Sequence, residues 1–517
     1  MAGYIIIYQE ALTMSRGANI FSLVGTYVPA RQYINPLTHQ GNLALFLATL
    51  GKNIRYVEEH GKFIVWSKKK WLREDNGARK EMARQYKCFV NILYRQARSK
   101  KFLYTRNGEP VSQDDMLDWA KSSSQLSQRK ALFELLKDEP LIRISQSELD
   151  RNPYVLGVAN GVVDMRTGGL RENTIDDLIT RYARATFNPK AEAPEFEKII
   201  DQACLNRKPL VEFIQEVVGI IFSGLIKEQK FFLMLGTGAN SKSTIIETLF
   251  YLLGDYAKGM PSHAFIKSES RAIRNDLARL PGVRFAPCAE VNTGKALDES
   301  MVKRATGGDV MTARFIGKEF FDFHLTAKFV FSVNTLPRVT GADNGIYRRL
   351  VVIPFDADFS KDPDMGLPER LKGEIDGILN WGIQGFQRWH QRGHLVLPDC
   401  VVDACKAYRT EMDTVQAFLD DCCDSTDPNA STPLGVVYDK YLQWGKTSQV
   451  EPAKPRLFGT LMGQKGFKKI KSGSWRWKGV TLKGTASLKA TVSIFGAAMQ
   501  PQPTPADTDS SSTGLPQ

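Results

Sequence analysis

The hydrophobic pattern is clearest at Phe231–Leu235, an apolar run of strand length that stops abruptly at Gly236. A loop of small residues follows, and an apolar stretch with helical spacing begins near Lys242. A strand, a small-residue loop and a helix are therefore predicted in this order over residues 231–250. We take this stretch as the centre of the main domain.

The chain after this helix alternates between strand and helix patterns. Two of the strand runs lie on either side of Gly317-Lys318-Glu319 and predict a β-hairpin. The alternation as a whole predicts an α/β core in which helices flank a parallel sheet. The predicted strands are Val283–Ala289, Val310–Ile316, Phe320–Leu325, Lys328–Val333 and Leu350–Phe355, and the predicted helices cover 209–226, 299–306, 366–392 and 400–421.

The chain before the core has a mixed pattern, which predicts an α+β accessory domain over residues 41–190. Residues 1–40 show no pattern that favours one structure. Within the accessory domain, helices and short strands alternate without the regular repeat of the core. The helices are predicted at 43–51, 79–100 and 124–138, the strands at 54–57 and 63–66, and a hairpin around an Asn-Gly turn within 152–164.

Residues 432–483 predict two helices followed by a basic hairpin. The segment Phe467–Lys483 holds six Lys or Arg residues and no acidic residue, with Trp475 and Trp477 between them. Basic and aromatic side chains suit phosphate contact and base stacking, but a small structural hairpin with its tryptophans in the core fits equally well. The DNA contacts on the first interpretation are Lys468, Lys469, Lys471 and Arg476. The tail, residues 486–517, is predicted to be disordered.

Composition adds an expected partner and an expected compartment. The chain has 517 residues, enough for about three domains, and a net charge of +13, which suits a polyanionic partner. Its seven cysteines are scattered without a C-x-x-C pair, which favours a reducing compartment over a zinc site. No signal sequence and no apolar run of membrane-spanning length are present in the sequence, so we expect a cytoplasmic protein without membrane contact.

The loop after Phe231–Leu235 carries the residues of a phosphate-binding loop. Small residues let backbone N–H groups close around a phosphate, and the helix that follows adds partial positive charge. Lys242 is expected to reach the β- and γ-phosphates of ATP, and the Ser243 hydroxyl to bind Mg²⁺. Ser241 stands where the usual motif has glycine; the alternative is a chance loop of small residues. The predicted nucleotide-binding residues are Gly236, Thr237, Gly238, Ala239, Asn240, Ser241, Lys242, Ser243 and Thr244.

Four polar residues beside predicted strands are candidates for catalysis. Glu290 follows the strand after the loop helix, where a carboxylate would bind Mg²⁺ and polarise the attacking water. Asn334 ends a buried strand and could contact the γ-phosphate, although an ordinary turn-forming Asn before Pro337 is the simpler interpretation. Arg348 and Arg349 directly precede the last predicted strand.

The run from Phe231 to Phe355 resembles the superfamily 3 helicase module, a subgroup of AAA+ ATPases. It is more closely similar to the primase–helicase family of phages, plasmids and large DNA viruses. The segments that carry the resemblance are Gly236–Thr244 as Walker A, Glu290 in Walker B, Lys303 with Thr306–Asp309 and Arg314 before the hairpin, Phe331–Pro337 as motif C, and Tyr347–Leu350 with Ile353–Phe355 as the arginine-finger segment. Segments 43–74 and 152–172 resemble the helicase-associated N-terminal domain of that family.

The resemblance implies a ring, with a hexamer expected, that moves 3′ to 5′ on single-stranded or forked DNA. ATP would bind between subunits, with Arg348 or Arg349 reaching the site of the neighbouring subunit. Lys318, at the hairpin tip, would contact the DNA backbone in the channel, whereas composition alone favours an exposed turn residue. A primase, a polymerase or an origin-binding protein is a possible partner, and Ala289 stands where many relatives have a second acid.

The implied domains are an accessory domain at 41–190, an AAA+ core at 191–360, a helical lid and linker at 361–425 and a winged-helix domain at 426–485. We expect no primase activity, because the chain lacks room for a primase catalytic domain before this module. One rival interpretation is an origin-binding or scaffolding protein that binds ATP without unwinding DNA. A second rival, a small-molecule kinase with a phosphate loop, fits the length and the basic hairpin poorly.

Overall fold

The computed structural model of the protein describes residues 37–99, 105–106, 109–267, 276–288, 296–315, 317, 319–339, 344–448 and 450–483. The described chain forms two compact units, the first ending at Cys405 and the second beginning at Lys406, with the short segment Val339–Asn344 assigned to the second. The structural predictions for residues 1–36 and for the tail after residue 483 lie outside the described residues.

The first unit contains a four-stranded parallel sheet with the order β11-β14-β10-β15. Its strands are nearly all buried, as expected for a sheet with apolar cover on both faces. The register pairs Leu235 with Val333 on one side and with Pro354 on the other, so three strands end at one edge of the sheet. The strands are β10 (Phe231–Leu235), β11 (Phe285–Cys288), β14 (Lys328–Val333) and β15 (Leu350–Pro354).

Helices pack against this sheet and against one another. The helices of this part are α5 (Pro194–Ala203), α6 (Lys208–Phe222), α7 (Lys242–Leu253), α8 (Glu299–Gly307), α9 (Asn344–Tyr347), α10 (Leu367–Gly373), α11 (Ile375–Arg392) and α12 (Asp399–Met412). A Cβ on Gly385 of α11 would lie 2.1 Å from the Gln215 carbonyl oxygen of α6, so only glycine allows this approach. One hydrophobic cluster joins both helices to β10.

Within residues 37–171, the described chain forms three small sheets and four helices. The sheets have the orders β3-β2-β1-β6, β4-β5 and β7-β8-β9. Their elements, with the intervening helices, are α1 (His39–Leu50), β1 (Ile54–Val57), β2 (Lys62–Ser67), β3 (Lys70–Leu72), α2 (Ala78–Arg98), β4 (Thr105–Arg106), β5 (Glu109–Pro110), α3 (Gln113–Ser123), α4 (Leu126–Lys137), β6 (Arg143–Ile144), β7 (Val155–Val158), β8 (Gly161–Asp164) and β9 (Gly169–Arg171).

Buried cations join this N-terminal part to the sheet at the C-terminal end of α6. Arg284 donates to the carbonyl oxygens of Phe222 at 2.7 Å and Val155 at 2.7 Å, and Lys328 donates to that of Ser223. The last carbonyls of a helix have no partners within the helix and carry partial negative charge, so cations stabilise them. Burial lowers the pKa of both Arg284 and Lys328.

Arg284→Met is expected to destabilise the protein by about 3 kcal/mol, because it leaves two buried carbonyl oxygens without a donor. Thermal or urea unfolding measures the change. Arg279→Met, at an exposed arginine of the same segment, is the matched control and should change stability by less than about 0.5 kcal/mol. Equal stability of the two variants would contradict the role of Arg284.

The second unit combines three helices with a three-stranded sheet of order β17-β19-β18. Its core includes Phe418, Tyr441, Phe458 and Trp477. Its elements are α13 (Thr414–Cys422), β16 (Cys423–Asp424), β17 (Ser431–Pro433), α14 (Leu434–Thr447), α15 (Pro455–Gln464), β18 (Lys468–Ser472), β19 (Ser474–Lys478) and β20 (Thr481–Leu482).

The predicted α/β class with a parallel sheet is confirmed, and several element bounds need correction. The long predicted helices 366–392 and 400–421 are each broken, at Glu374 and at Asp413. The helix Gln113–Ser123 was not predicted, because its apolar side chains are few and polar residues interrupt them. The turn of the 152–164 hairpin is Ala159-Asn160, since Val158 pairs with Gly161. The central hairpin has shorter strands than predicted, β12 (Val310–Ala313) and β13 (Phe321–His324).

Candidate nucleotide-binding site

The loop 236–241 lies between β10 and α7, as the sequence predicts. The Gly236 N–H donates to the Val333 carbonyl oxygen at 3.2 Å, which holds the start of the loop against the end of β14. A Cβ on Gly236 would lie 2.0 Å from the Asn240 amide nitrogen and 2.5 Å from the Phe355 carbonyl oxygen. Glycine is therefore required at the first position of the loop.

Ser241 adopts the left-handed conformation, with φ 63° and ψ 3°, directly before the first residue of α7. Glycine enters this region without strain, whereas a residue with a Cβ enters it at a cost of about 1–2 kcal/mol. The serine in place of the usual glycine therefore keeps the same backbone path and bears the strain. Ala239 also has a positive φ, of 46°, so the tight turn extends through the loop.

Lys242 points back into the loop and is only 3% exposed. Its ammonium donates to the Gly236 carbonyl oxygen at 2.8 Å and to Oδ1 of Asn240 at 2.8 Å. The Asn240 amide nitrogen donates in turn to the Phe355 carbonyl oxygen at 3.1 Å. The lysine is thus already held at the centre of the loop, with its charge directed toward the space that the loop encloses.

The segment after β15 forms the second wall of the loop. The Phe355 N–H donates to the Leu235 carbonyl oxygen at 2.7 Å, and the Phe359 N–H donates to that of Ala239 at 2.7 Å. With the bond from Asn240 to Phe355, two hydrogen bonds connect the loop to residues 355–359, and a third joins Phe355 to the end of β10. Sequence reasoning assigned Phe355 to a strand and did not find this wall, because main-chain bonds between distant segments leave no residue pattern.

The residues at the start of α7 fit a phosphate group with a divalent cation. Ser243 is exposed, and its hydroxyl has no hydrogen-bond partner among the described residues. No side chain caps the N-terminus of α7, so its first N–H groups face the loop opening with partial positive charge. A buried lysine, an open hydroxyl and an uncapped helix start together suit phosphate oxygens with a hard cation.

Of the two candidates that follow a strand, Glu290 and Asn334, the structure brings Asn334 to the loop. Asn334 is exposed and directly follows Val333, whose carbonyl accepts from Gly236. Glu290 lies outside the described residues, two positions after Cys288, which is the last residue of β11 and pairs with Phe331 of β14. Among the described residues no cluster of three or more His, Cys, Asp or Glu side chains could hold a metal ion.

The two arginines lie at the opposite edge of the sheet. Leu350 pairs with Phe231, the first residue of β10, so Arg348 and Arg349 are about one strand length, roughly 15 Å, from the loop. Arg348 is exposed, and its carbonyl oxygen accepts from Lys230 at 2.8 Å. Arg349 is buried and donates to the Gly345 carbonyl oxygen at 2.8 Å. The geometry therefore separates two neighbours that the sequence could not distinguish.

The hairpin β12–β13 has one open and one covered face. Met311, Ala313, Phe321 and Phe323 are buried, whereas the alternate residues are exposed. The Arg314 guanidinium lies over the Phe320 ring at 4.6 Å, and Phe320 is 61% exposed. Lys318, the predicted DNA contact, lies outside the described residues. Arg314, which the sequence already places before the hairpin, and Phe320 thus form a cation–π pair beside the hairpin.

The basic side chains of the hairpin β18–β19 in the second unit differ in their contacts. Lys468 and Lys471 are exposed. The Lys469 ammonium lies 5.2 Å from the centre of the Trp477 ring, and Trp477 is buried in the core. Arg476 donates to Oγ of Ser431 at 2.9 Å and to its carbonyl oxygen at 2.7 Å. One tryptophan is therefore structural, while Trp475 is 56% exposed.

Fold and site together define a mixed α/β protein with a parallel sheet and a glycine-containing loop that leads into a helix. Residues 44–205 match the family described as D5 N terminal like, and residues 234–349 match a family of unknown function, DUF5906. With the viral relatives described next, these matches support a place for the chain in the primase–helicase family of phages and large DNA viruses.

Two relatives come from large DNA viruses. The putative helicase L207/L206 of Acanthamoeba polyphaga mimivirus is 29% identical over 325 residues, which cover 58% of this chain and 34% of the relative. The putative primase C962R of African swine fever virus, strain Badajoz 1971 Vero-adapted, is 25% identical, with 57% and 34% covered. The chain thus spans about a third of these relatives.

Among solved structures, the apo structure of the NrS-1 C terminal region is similar with a TM-score of 0.45 and 10% identity, covering 85% of this chain and 99% of that chain. Within the described residues of the present chain, the helices are all too short or too polar to cross a membrane.

Proposed function

We propose that the protein is an ATP-dependent DNA helicase that hydrolyses ATP between subunits of a ring, with a hexamer as the expected assembly. The observation that carries this proposal is that the candidate residues are separated over the two ends of the parallel sheet. Lys242 and Asn334 lie at the carboxyl edge, whereas exposed Arg348 lies at the other edge. An arginine so placed can serve a phosphate loop only in a second copy of the chain.

The described residues support distinct roles in hydrolysis. Lys242 neutralises charge on the phosphates, and Ser243 would hold Mg²⁺, which stabilises negative charge on the phosphates when it is bound. Asn334 would hold the γ-phosphate or the attacking water by hydrogen bonds, and Glu290 is proposed as the carboxylate that orients that water. Arg348 would stabilise the charge that develops on the transferring group.

The strand order supports an AAA+ core. In this sheet β14 lies between β10, which leads into the loop, and β11, which leads toward Glu290. The end of β14 therefore lies between the start of the loop and the end of β11, where a polar side chain could contact both a bound phosphate and the attacking water. Asn334 occupies this position directly after Val333.

The second unit supports DNA binding. Its order of helix, strand, two helices and hairpin, with the hairpin extending a three-stranded sheet, fits a winged-helix domain. We propose that Lys468 and Lys471 contact phosphates and that exposed Trp475 stacks on a base. Lys469 and Arg476 are weaker candidates, because the first lies over Trp477 and the second binds Ser431.

Replacing Lys468 and Lys471 together by alanine is expected to weaken DNA binding and to flatten its salt dependence. The slope of log affinity against log salt should fall by about 1.4 for two contacts to single-stranded DNA. Fluorescence anisotropy at several salt concentrations measures this slope. The double variant Lys440→Ala with Lys446→Ala, on α14 of the same unit, is the charge-matched control. An unchanged slope in the hairpin variant would make this hairpin a structural element only.

The dependence of ATP hydrolysis on assembly tests the proposed function. Phosphate release per chain should rise with protein concentration and rise again when single-stranded DNA is added, because the site is complete only between subunits. A rate per chain that is independent of concentration, at concentrations where sedimentation shows monomers, would contradict the shared site. Robust stimulation by single-stranded DNA would also argue against an origin-binding or scaffolding role without unwinding.

Primer synthesis is the second candidate, because the relative from African swine fever virus carries the name putative primase. Incubation of the chain with a single-stranded template and labelled nucleotides tests it directly. Short labelled products that depend on the template would support primase activity, and their absence beside active ATP hydrolysis would favour the helicase proposal.

A further inference from the structure

The hairpin β12–β13 pairs with no third strand among the described residues. Its register runs from Val310 opposite His324 to Ala313 opposite Phe321. A two-stranded hairpin is at best marginally stable by itself in water, so its position depends on what covers its apolar face. The contacts of the aromatic side chains on that face therefore show what holds the hairpin in place.

The accessory domain supplies part of that cover through the turn between β1 and β2. The His60 ring lies 5.8 Å from the Phe315 ring and 5.5 Å from the Phe321 ring, with interplanar angles of 62° and 73°. The two phenyl rings are themselves stacked, 5.9 Å apart. Edge-to-face contacts of this kind stabilise aromatic pairs beyond the area that they bury.

The turn that carries His60 is fixed by hydrogen bonds and an ion pair to residues 143–146. The carboxylate of Glu59 accepts from Oγ of Ser145 at 2.7 Å and from the Gln146 N–H at 2.9 Å. The side chain of Gln146 contacts Nε2 of His60 at 2.5 Å, and Glu58 pairs with Arg143 at 2.7 Å. Burial lowers the pKa of His60, so a neutral imidazole packs against the phenyl rings.

We infer that His60 is a positioning residue for the central hairpin, so that the accessory domain sets where the DNA-contacting hairpin stands. The inference rests on the proposed function only for the role of the hairpin in DNA contact; the packing itself does not depend on it. Because of this contact, the hairpin either moves together with the accessory domain or breaks its contact with His60 when the hairpin moves alone. The accessory domain thereby becomes part of the coupling between ATP hydrolysis and DNA movement.

Hydrogen exchange of the full-length protein tests directly whether His60 holds the hairpin in place. In His60→Ala the amides of Val310–Ala313 and Phe321–His324 should exchange about tenfold faster, because the loss of edge-to-face contacts favours local opening. His39→Ala is the matched control, because His39 makes a similar edge contact with Trp119 at 6.3 Å within the accessory domain. It should leave exchange in the hairpin unchanged.

Two further variants separate ring packing from general damage. His60→Phe keeps a ring and should keep hairpin protection near that of the wild type. His60→Gln keeps a polar side chain without a ring and should lose protection as His60→Ala does. Unchanged hydrogen exchange in the hairpin of His60→Gln would overturn the inference. This test holds even if His60→Ala unfolds the accessory domain.

Activity gives the second readout. His60→Ala should keep the basal rate of ATP hydrolysis and lose most of its stimulation by single-stranded DNA. If single-stranded DNA does not stimulate ATP hydrolysis by the wild-type protein, the proposed function fails. The exchange experiment still decides whether His60 positions the hairpin. If exchange rises and stimulation is unchanged, the coupling role of the accessory domain is overturned.

Discussion

Lys242→Ala is expected to lower ATP hydrolysis at least about a hundredfold, because on the proposed function it removes the charge that would stabilise the transferring phosphoryl group. The ammonium lies inside the loop, bound to the Gly236 carbonyl oxygen and to Asn240. The variant also loses these two bonds, so the loop should loosen while the hydrophobic core stays intact. Steady-state phosphate release and a thermal unfolding curve measure the two effects.

Lys361→Ala is the control for Lys242→Ala. Lys361 is an exposed lysine shortly after the segment that bonds the loop, so its removal takes the same charge from the same region. It should leave hydrolysis within about twofold of the wild type, as surface substitutions usually do. Hydrolysis by Lys242→Ala at the rate of this control would show that the loop does not bind the nucleotide phosphates.

Arg348→Ala is expected to lower ATP hydrolysis about a thousandfold while ATP binding is retained, since an arginine that stabilises the transition state is worth this much or more. The exposed guanidinium at the distal edge of the sheet makes Arg348 the better candidate of the two neighbours. Arg349→Ala should instead lower stability, because its guanidinium is buried and bonded to Gly345. Phosphate release and urea unfolding distinguish these outcomes.

Mixing subunits tests whether Arg348 acts across an interface. A mixture of Arg348→Ala and Lys242→Ala chains contains interfaces in which an intact loop meets an intact arginine. Such a mixture should recover part of the wild-type activity, although each variant alone is inactive. A mixture of Arg348→Ala with Arg348→Ala, Lys242→Ala double-variant chains is the control, because it contains no intact arginine. Recovery in neither mixture would contradict an arginine that acts in trans.

The sequence predicts the central elements well where local pattern and tertiary packing agree. The strand Lys328–Val333 is predicted with its observed bounds, since four of its six residues are apolar and Lys328 has an apolar stem. Ser241 is a sharper case, because the motif alone implies an unusual backbone there, and the residue has φ 63°. The left-handed backbone at Ser241 therefore agrees with the motif, and phosphate binding by the loop stays a prediction.

Other parts of the site could not be predicted, because they depend on contacts between distant segments. The bond from Asn240 to the Phe355 carbonyl oxygen joins residues 115 positions apart, and a main-chain acceptor has no sequence signature. Arg348 and Arg349 are identical in sequence terms, and only the packing of β15 makes one exposed and the other buried. The contact of His60 with the hairpin likewise joins two domains that the sequence treats as separate.

The most direct test of the central claim is a strand-displacement assay with the wild-type protein and Lys242→Ala on substrates with a 3′ or a 5′ single-stranded tail. We expect the wild-type protein to displace the strand of the 3′-tailed substrate when ATP and Mg²⁺ are present. Lys242→Ala should displace no strand under the same conditions. Displacement by both proteins alike, or by neither while ATP is hydrolysed rapidly, would contradict a ring that uses this loop to unwind DNA.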